Sequence, residues 1–182
     1  MEKNEIALFG AGCFWHIQEE FDRLKGVVKT TAGYMGGDEK KYPDPSYEQI
    51  SSDRTGYVEV VQVSFNPNKI TYNKLLETFW KIHNPTSLNK QGADAGAQYK
   101  SIIFYYDEKQ KENAEKSKQI HQKEYNLPIV TEIAKAKTFF PAEEYHQNYS
   151  KRCSINVRRY FKNGKNNKTI MQPNMWIFSS EP

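Results

Sequence analysis

Two hydrophobic periods alternate along this chain, and that alternation limits its folds more than any other feature. Glu5 to Gly10 (EIALFG) is a short apolar run suited to a buried strand; past Ala11-Gly12 the period becomes helical, with Phe14, Ile17, Phe21 and Leu24 on one stripe. Strands need paired neighbours and an amphipathic helix needs an apolar surface to lie on, so repeated switching predicts a sheet with helices packed against it. Gly26 ends the first helix, Val27 to Tyr34 reads as a strand, and a long loop runs from Tyr34-Met35-Gly36-Gly37 through Tyr42-Pro43-Asp44-Pro45. Excursions of that length are functional loops or disorder. Tyr57 to Phe65 reads as the next strand, stopped at Asn66-Pro67. A helix follows from Thr71 to His83, with Tyr72, Leu75, Leu76, Phe79 and His83 inward, and Asn84-Pro85 stops it.

Leu88 to Gln98 reads as a loop and Lys100 to Tyr106 as a strand. Asp107 can cap a polar helix from Glu108 to Tyr125, in which Ala114, Ile120 and Tyr125 are the residues expected to touch the core. Leu127 to Ala136 reads as a strand with Ile129, Thr131 and Ile133 alternating, and Pro141 suits the first turn of a last helix reaching Arg152. The first six elements have the ferredoxin-like order, so the expected fold is α/β: a two-layer sandwich with a mixed sheet, helices and long functional loops. One domain is expected over residues 1–182, with 154–182 an extended tail. Asn163 to Lys168 reads as flexible, and Met175-Trp176-Ile177-Phe178 is expected to dock back on the body.

Composition narrows the class. No apolar run approaches the roughly 18 residues needed to span a bilayer, which excludes a transmembrane protein. The first ten residues lack the pattern of a secretory leader, so the expected compartment is the cytoplasm. A net charge of +4 names no nucleic-acid partner. Two cysteines, Cys13 and Cys153, can build neither a disulfide framework nor a four-thiolate zinc site, but they suffice for a redox pair. The histidines at 16, 83, 121 and 146 show no ligand spacing, and no metal is expected.

Cys13 falls at a strand-to-helix turn, where unpaired amides and the positive end of the helix dipole favour a thiolate; the competing reading is a small buried hydrophobe. Trp15 points away from the core stripe and could line a pocket beside the sulfur, or could simply pack. Glu59 shares a strand face with Val61, Val63 and Phe65, so it is either a buried acid held protonated by desolvation or the solvated start of the strand. Tyr47 and Tyr99 lie in the loops expected around a site, where their hydroxyls could orient or protonate an oxygen, although most of the 12 tyrosines only pack.

Taken in order, these segments resemble the A-type peptide methionine sulfoxide reductases. The resemblance runs from residue 6 to about 149 through Gly12-Cys13-Phe14-Trp15, Ala32-Gly33-Tyr34, Gly36-Gly37, Pro45-Ser46-Tyr47 and Thr55-Gly56 to Glu59. It continues through Phe79-Trp80 with His83, Gln91-Gly92, Asp94, Gly96, Gln98-Tyr99, Ala142-Glu143 and Tyr145-His146-Gln147. It implies reduction of the S epimer of methionine sulfoxide, free or in proteins, as repair after oxidative damage. It implies Cys13 as nucleophile, Glu59 as the acid on the sulfoxide oxygen, and Tyr47 and Tyr99 as hydrogen-bonding companions. Phe14 and Trp15 would hold the substrate methyl group, and Asp94 would support the polar side. No bound cofactor is implied; the reductant would be an external thiol, thioredoxin in the cell or dithiothreitol in vitro, serving a protein expected to be a monomer.

The sequence departs from the family where His16 replaces a usual glycine and where Tyr57 and Val58 replace a usual histidine and alanine. Cys153 is the one candidate for a resolving thiol in the chain, the alternative being a one-cysteine cycle closed by an outside thiol. Two other classes compete. A cysteine hydrolase would pair Cys13 with His83 or His146. An RNA-binding module would share the fold order and the faint signature Arg54-Thr55-Gly56-Tyr57-Val58-Glu59-Val60, but carries a carboxylate where base stacking needs an aromatic ring.

Overall fold

The computed structural model describes residues 3–153; residues 3–150 belong to one unit and 151–153 to a second. The expectations for 154–182, including the docking of Met175 to Phe178, lie outside the described residues. The first unit contains β1 (Glu5–Ala11), α1 (Phe14–Asp22), β2 (Val27–Met35), α2 (Tyr47–Ser51), β3 (Val58–Phe65) and α3 (Tyr72–Lys81). There follow β4 (Lys90–Gln91), β5 (Asp94–Ala95), a 3-10 turn (Ala97–Tyr99), β6 (Ser101–Tyr105), α4 (Glu108–Gln122), β7 (Glu132–Lys135), β8 (Phe140–Pro141) and a second 3-10 turn (Glu144–His146).

Six strands form a mixed sheet in the order β7-β6-β1-β3-β2-β8. Its central four are antiparallel neighbours, the ferredoxin-like arrangement; β7 adds in parallel to β6, and β8 adds antiparallel to β2. β1 is buried on both faces, which explains its unbroken apolar run. On one face Ala7, Phe9, Val61, Val63 and Phe65 meet Phe14, Ile17 and Phe21 of α1 and Leu75, Leu76 and Phe79 of α3. Phe9 stacks at 5.0 Å on Phe21 and 5.4 Å on Phe79, so the three rings tie both helices to the central strand. On the other face Leu8, Met35, Val58, Val60, Ile102 and Phe104 are covered by an extended strap, with Ala136 and Phe139 packed against them. The Ala136 amide donates to the Tyr105 carbonyl at 2.8 Å and the Lys137 amide to Met35 Sδ at 3.4 Å.

Four expectations change. No helix starts at Pro141: Pro141 pairs with Gly33 on the sheet edge, where a missing N–H is tolerated, and among the described residues beyond it α-helix begins at 149. A side chain makes this possible, because Gln147 accepts from the Ala32 amide at 2.9 Å and donates to the Ala32 carbonyl at 2.9 Å, satisfying the edge of β2 as another strand would. The strand expected over 127–136 shrinks to β7, since the Val130 amide is taken by the Pro85 carbonyl, although Ile129 and Thr131 are buried. Ile120 is 62% exposed. The inward stripe of α4 is Gln110, Ala114, Ser117 and His121, whose polar members bond Ile6 and Trp80 or pack on the Trp80 ring, and Ile120 is rotated off it. Finally, α2 interrupts the long loop, and its signal was present in sequence as the reciprocal capping pair Ser46 and Gln49.

Candidate active site

The site begins where β1 turns into α1. Gly12 has φ +95°, and a Cβ there would lie 2.7 Å from Gln91 Cβ, so only glycine lets the β4-β5 hairpin, in which Asp94 of β5 pairs with Gln91, pack this close to the residue before Cys13. Cys13 occupies the N-cap position of α1 with no side-chain capping bond, and the backbone amides of Trp15 and His16 in the first turn act on its thiol in the direction that favours the thiolate. Glu59 lies opposite Tyr34 in the β2-β3 register, with its side chain on the helix-covered face and 2% exposed, so the buried reading is the right one. Its Oε2 accepts from the Phe14 amide at 3.1 Å, which ties the carboxyl to the residue after the cysteine.

Electrostatics then sets the protons. Burial pushes the Glu59 carboxyl up from 4.5 to about 8, with the Phe14 amide opposing and the Asp94 charge assisting. At pH 7 the neutral form predominates. The Phe14 amide engages Oε2, which favours Oε1 as the oxygen that carries the proton of that neutral acid. Of the two readings open for Cys13, burial favours the thiol: burial first, then the charges of Glu59 and Asp94, push it from 9.0 up to about 12. The amides of Trp15 and His16 pull the other way, as the helix-terminus argument requires, but desolvation outweighs them. At rest the pair is a thiol beside an uncharged acid.

Tyr47, at the start of α2, and Tyr99, at the end of the first 3-10 turn, have hydroxyls held protonated by burial, and both also feel the charges of Glu59 and Cys13. Cys13, Glu59, Asp94, Tyr47 and Tyr99 are therefore one electrostatic set. Phe14 is buried and Trp15 half-buried; Trp15 stacks on Tyr149 at 3.9 Å and donates its indole N–H to His146 Nδ1 at 3.2 Å. The His146 ring lies 4.4 Å from that of Tyr47 and 5.3 Å from that of Phe14. Three residues that the motif series includes without a role thus complete the walls: Tyr34, Glu143 and His146. Glu143 accepts from the Tyr47 amide at 2.9 Å and from the Tyr34 hydroxyl at 3.0 Å. Cys153 is half-buried and falls in the second unit. A depression of about 910 Å³ lined by Gly36, Asp38, Arg54 and Lys137 contains none of these groups.

The rival classes lose their footing here. His83 has both ring nitrogens engaged, at 2.7 Å to the Phe79 carbonyl and 2.7 Å to Ser101 Oγ, and burial lowers it to about 4. His16 is exposed, and His146 Nδ1 accepts the Trp15 indole N–H at 3.2 Å. An RNA module would need an open sheet face, and here the 136–139 strap covers that face while the helices cover the other.

The family model for peptide methionine sulfoxide reductase matches residues 5–175 of this chain, a span that includes Cys13, Tyr47, Glu59, Asp94 and Tyr99. The chain belongs to that family. It is 52% identical over 147 residues to the peptide methionine sulfoxide reductase MsrA of Geobacter sulfurreducens, covering 80% of this chain and 89% of the relative. It is 50% identical over 149 residues to the MsrA of Methanococcus maripaludis, covering 82% and 93%. Among solved structures, reduced Mxr1 from Saccharomyces cerevisiae is 35% identical with a TM-score of 0.79, over 82% of this chain and 86% of that one. The methionine sulfoxide reductase A of Corynebacterium diphtheriae is 28% identical with a TM-score of 0.75, over 85% and 77%. As a member of the family, the protein is a thiol-dependent peptide-methionine (S)-S-oxide reductase. Among the described residues, no helix is long and apolar enough to cross a membrane.

Proposed function

We propose that Cys13 carries out the reduction with Glu59 as its acid. A sulfoxide sulfur resists attack because its oxygen leaves poorly, and protonating that oxygen as sulfur approaches lowers the barrier. Glu59 Oε1 gives its proton to the oxygen while the Cys13 thiol returns one to the carboxyl. A bond forms between Cys13 Sγ and the substrate sulfur, and the S–O bond breaks; the released hydroxide then attacks Cys13 Sγ while the S–S bond breaks with its electron pair staying on the substrate sulfur, which leaves a sulfenic acid on Cys13 and free methionine. The exchange balances without an outside acid or base, as expected of two neighbours that both rest protonated. Tyr47 and Tyr99 hydrogen-bond the oxygen, Phe14 and Trp15 enclose the methyl group, and Asp94 raises the affinity of Glu59 for its proton. The observation carrying this reading is the 2% exposed carboxyl of Glu59, fixed by the Phe14 amide beside Cys13.

A second thiol must then attack the sulfenic sulfur and release water. Cys153 is the chain's other thiol and takes that part in this proposal, followed by reduction of the Cys13–Cys153 disulfide by a thioredoxin-like protein. Mxr1, a relative of this chain, has been solved in complex with Trx2. Substrates are oxidised proteins and free methionine sulfoxide, and the enzyme works as a cytoplasmic monomer, since regeneration needs a reducing thiol pool. The test is methionine release from each sulfoxide epimer with dithiothreitol, alongside free-thiol counts after one turnover. Release from the S epimer alone, with two thiols lost in wild type and one in Cys153→Ser, is expected. A folded protein that leaves the S epimer untouched would end the reading, and an unchanged disulfide yield in Cys153→Ser would remove Cys153 from it.

A further inference from the structure

We propose that Glu143 is a positioning residue for this reaction: its carboxylate clamps the Tyr47 backbone to β2 and so sets where the Tyr47 hydroxyl meets the sulfoxide oxygen. The proposal rests on the role given to Tyr47 above. The helix α2 has five residues, too few to hold itself, and Ile50 is its buried member. Something outside the helix must fix its first residue. Glu143 Oε1 accepts from the Tyr47 amide at 2.9 Å, and Oε2 accepts from the hydroxyl of fully buried Tyr34 at 3.0 Å. Tyr34 is the register partner of Glu59. One carboxylate thus connects the helix carrying Tyr47 to the strand pair carrying the acid.

Glu143 is itself held. The Ala142 amide donates to the Ala32 carbonyl at 2.9 Å and the Gln147 side chain donates to the Ala142 carbonyl at 2.8 Å. The Glu143 carbonyl accepts from the His146 amide at 2.9 Å, and His146 in turn receives the Trp15 indole. The oxygen-binding and methyl-binding sides of the site therefore share one anchor. Burial alone would raise the Glu143 carboxyl, but the Tyr47 amide, its own backbone amide and the Tyr34 hydroxyl hold it below the usual range, so both bonds are made to a charged acceptor. Freeing Tyr47 by even an ångström misplaces a hydrogen bond that matters only in the transition state.

The test compares wild type, Glu143→Ala and Glu143→Gln, each with Tyr47 intact and with Tyr47→Phe. The readouts are the single-turnover methionine release rate at saturating S-sulfoxide, the half-saturating concentration, and substrate-free amide exchange over residues 45–52. Glu143→Ala is expected to slow release about tenfold or more, with half-saturation moved less than about threefold, the pattern of a lost transition-state contact. Glutamine offers an acceptor to the Tyr47 amide and a donor to the Tyr34 oxygen, so it should recover most of the rate. In the Tyr47→Phe background the alanine change should add almost nothing, and amide exchange should rise in Glu143→Ala but not in Glu143→Gln. The proposal is overturned by a wild-type rate in Glu143→Ala, by glutamine failing as badly as alanine, by an equal loss without the Tyr47 hydroxyl, or by unchanged exchange. A wild type that releases no methionine would instead strike the functional reading, and the exchange result then judges the clamp alone.

Discussion

Glu59→Gln should give a protein that is slower and, in alkali, more stable than its parent. Glutamine keeps the volume and an acceptor for the Phe14 amide but has no proton to give and no charge to bury. The wild-type carboxyl is raised from 4.5 to about 8, so its buried proton favours folding fully below pH 4.5, and that contribution is lost as pH rises to about 8. At about 1.4 kcal/mol per pH unit, the penalty is about 1 kcal/mol at pH 5, about 3 at pH 7 and about 5 at pH 9. Against Glu59→Gln, the wild type should therefore lose about 4 kcal/mol between pH 5 and pH 9, roughly a 10 °C change in the Tm difference for a domain of this size. Over the same range the wild-type rate of methionine release should fall tenfold per unit above about pH 8, whereas the variant should be slower by about 10² or more at pH 7 and lack that limb. Thermal unfolding of both proteins at three pH values and single-turnover release supply the assay. Parallel stability curves would refute the buried, neutral acid, and a variant that keeps the wild-type rate would refute its role as proton donor.

Asp94→Asn removes a charge that raises both Glu59 and Cys13, so the alkaline fall in rate should move to lower pH; a limb that stays put would detach Asp94 from the pair. Trp15→Ala loses the ring that stacks on Tyr149 and donates to His146, and should raise the half-saturating sulfoxide concentration about tenfold with a smaller change in saturated rate. An equal loss in both would place Trp15 in the chemistry rather than in binding. Gly33→Ala would put a Cβ 2.4 Å from the Phe140 carbonyl oxygen and 2.5 Å from the Phe139 ring, so chemical denaturation should report a loss of about 2–3 kcal/mol or more. Wild-type stability there would mean that the strap is not pinned to β2 as described.

The sequence made the central sheet legible because β1, β3 and β6 have apolar runs with turn residues at their ends, and α3 carries a clean inward stripe. It failed where side chains stand in for backbone or where polar residues face inward. Gln147 closes the edge of β2 as a strand would, and no hydrophobic period announces that. Gln110, Ser117 and His121 point inward on α4, so counting apolar residues selected Ile120 instead. Glu59 was legible as a candidate because alternation put it among valines, although only the structure separates a buried acid from a solvated strand start. The two readings of Cys13 stayed open in the sequence for a different reason: a position at a helix N-terminus reveals the dipole but not the burial that opposes it.

The most direct measurement mixes Cys153→Ser with one equivalent of methionine S-sulfoxide, without reductant, and follows both methionine and the mass of the Cys13 peptide. The account predicts one methionine released per protein and one oxygen, trappable as a sulfenic acid, on Cys13. Methionine formed with no oxygen on Cys13, or undiminished release after Cys13→Ser, would contradict it.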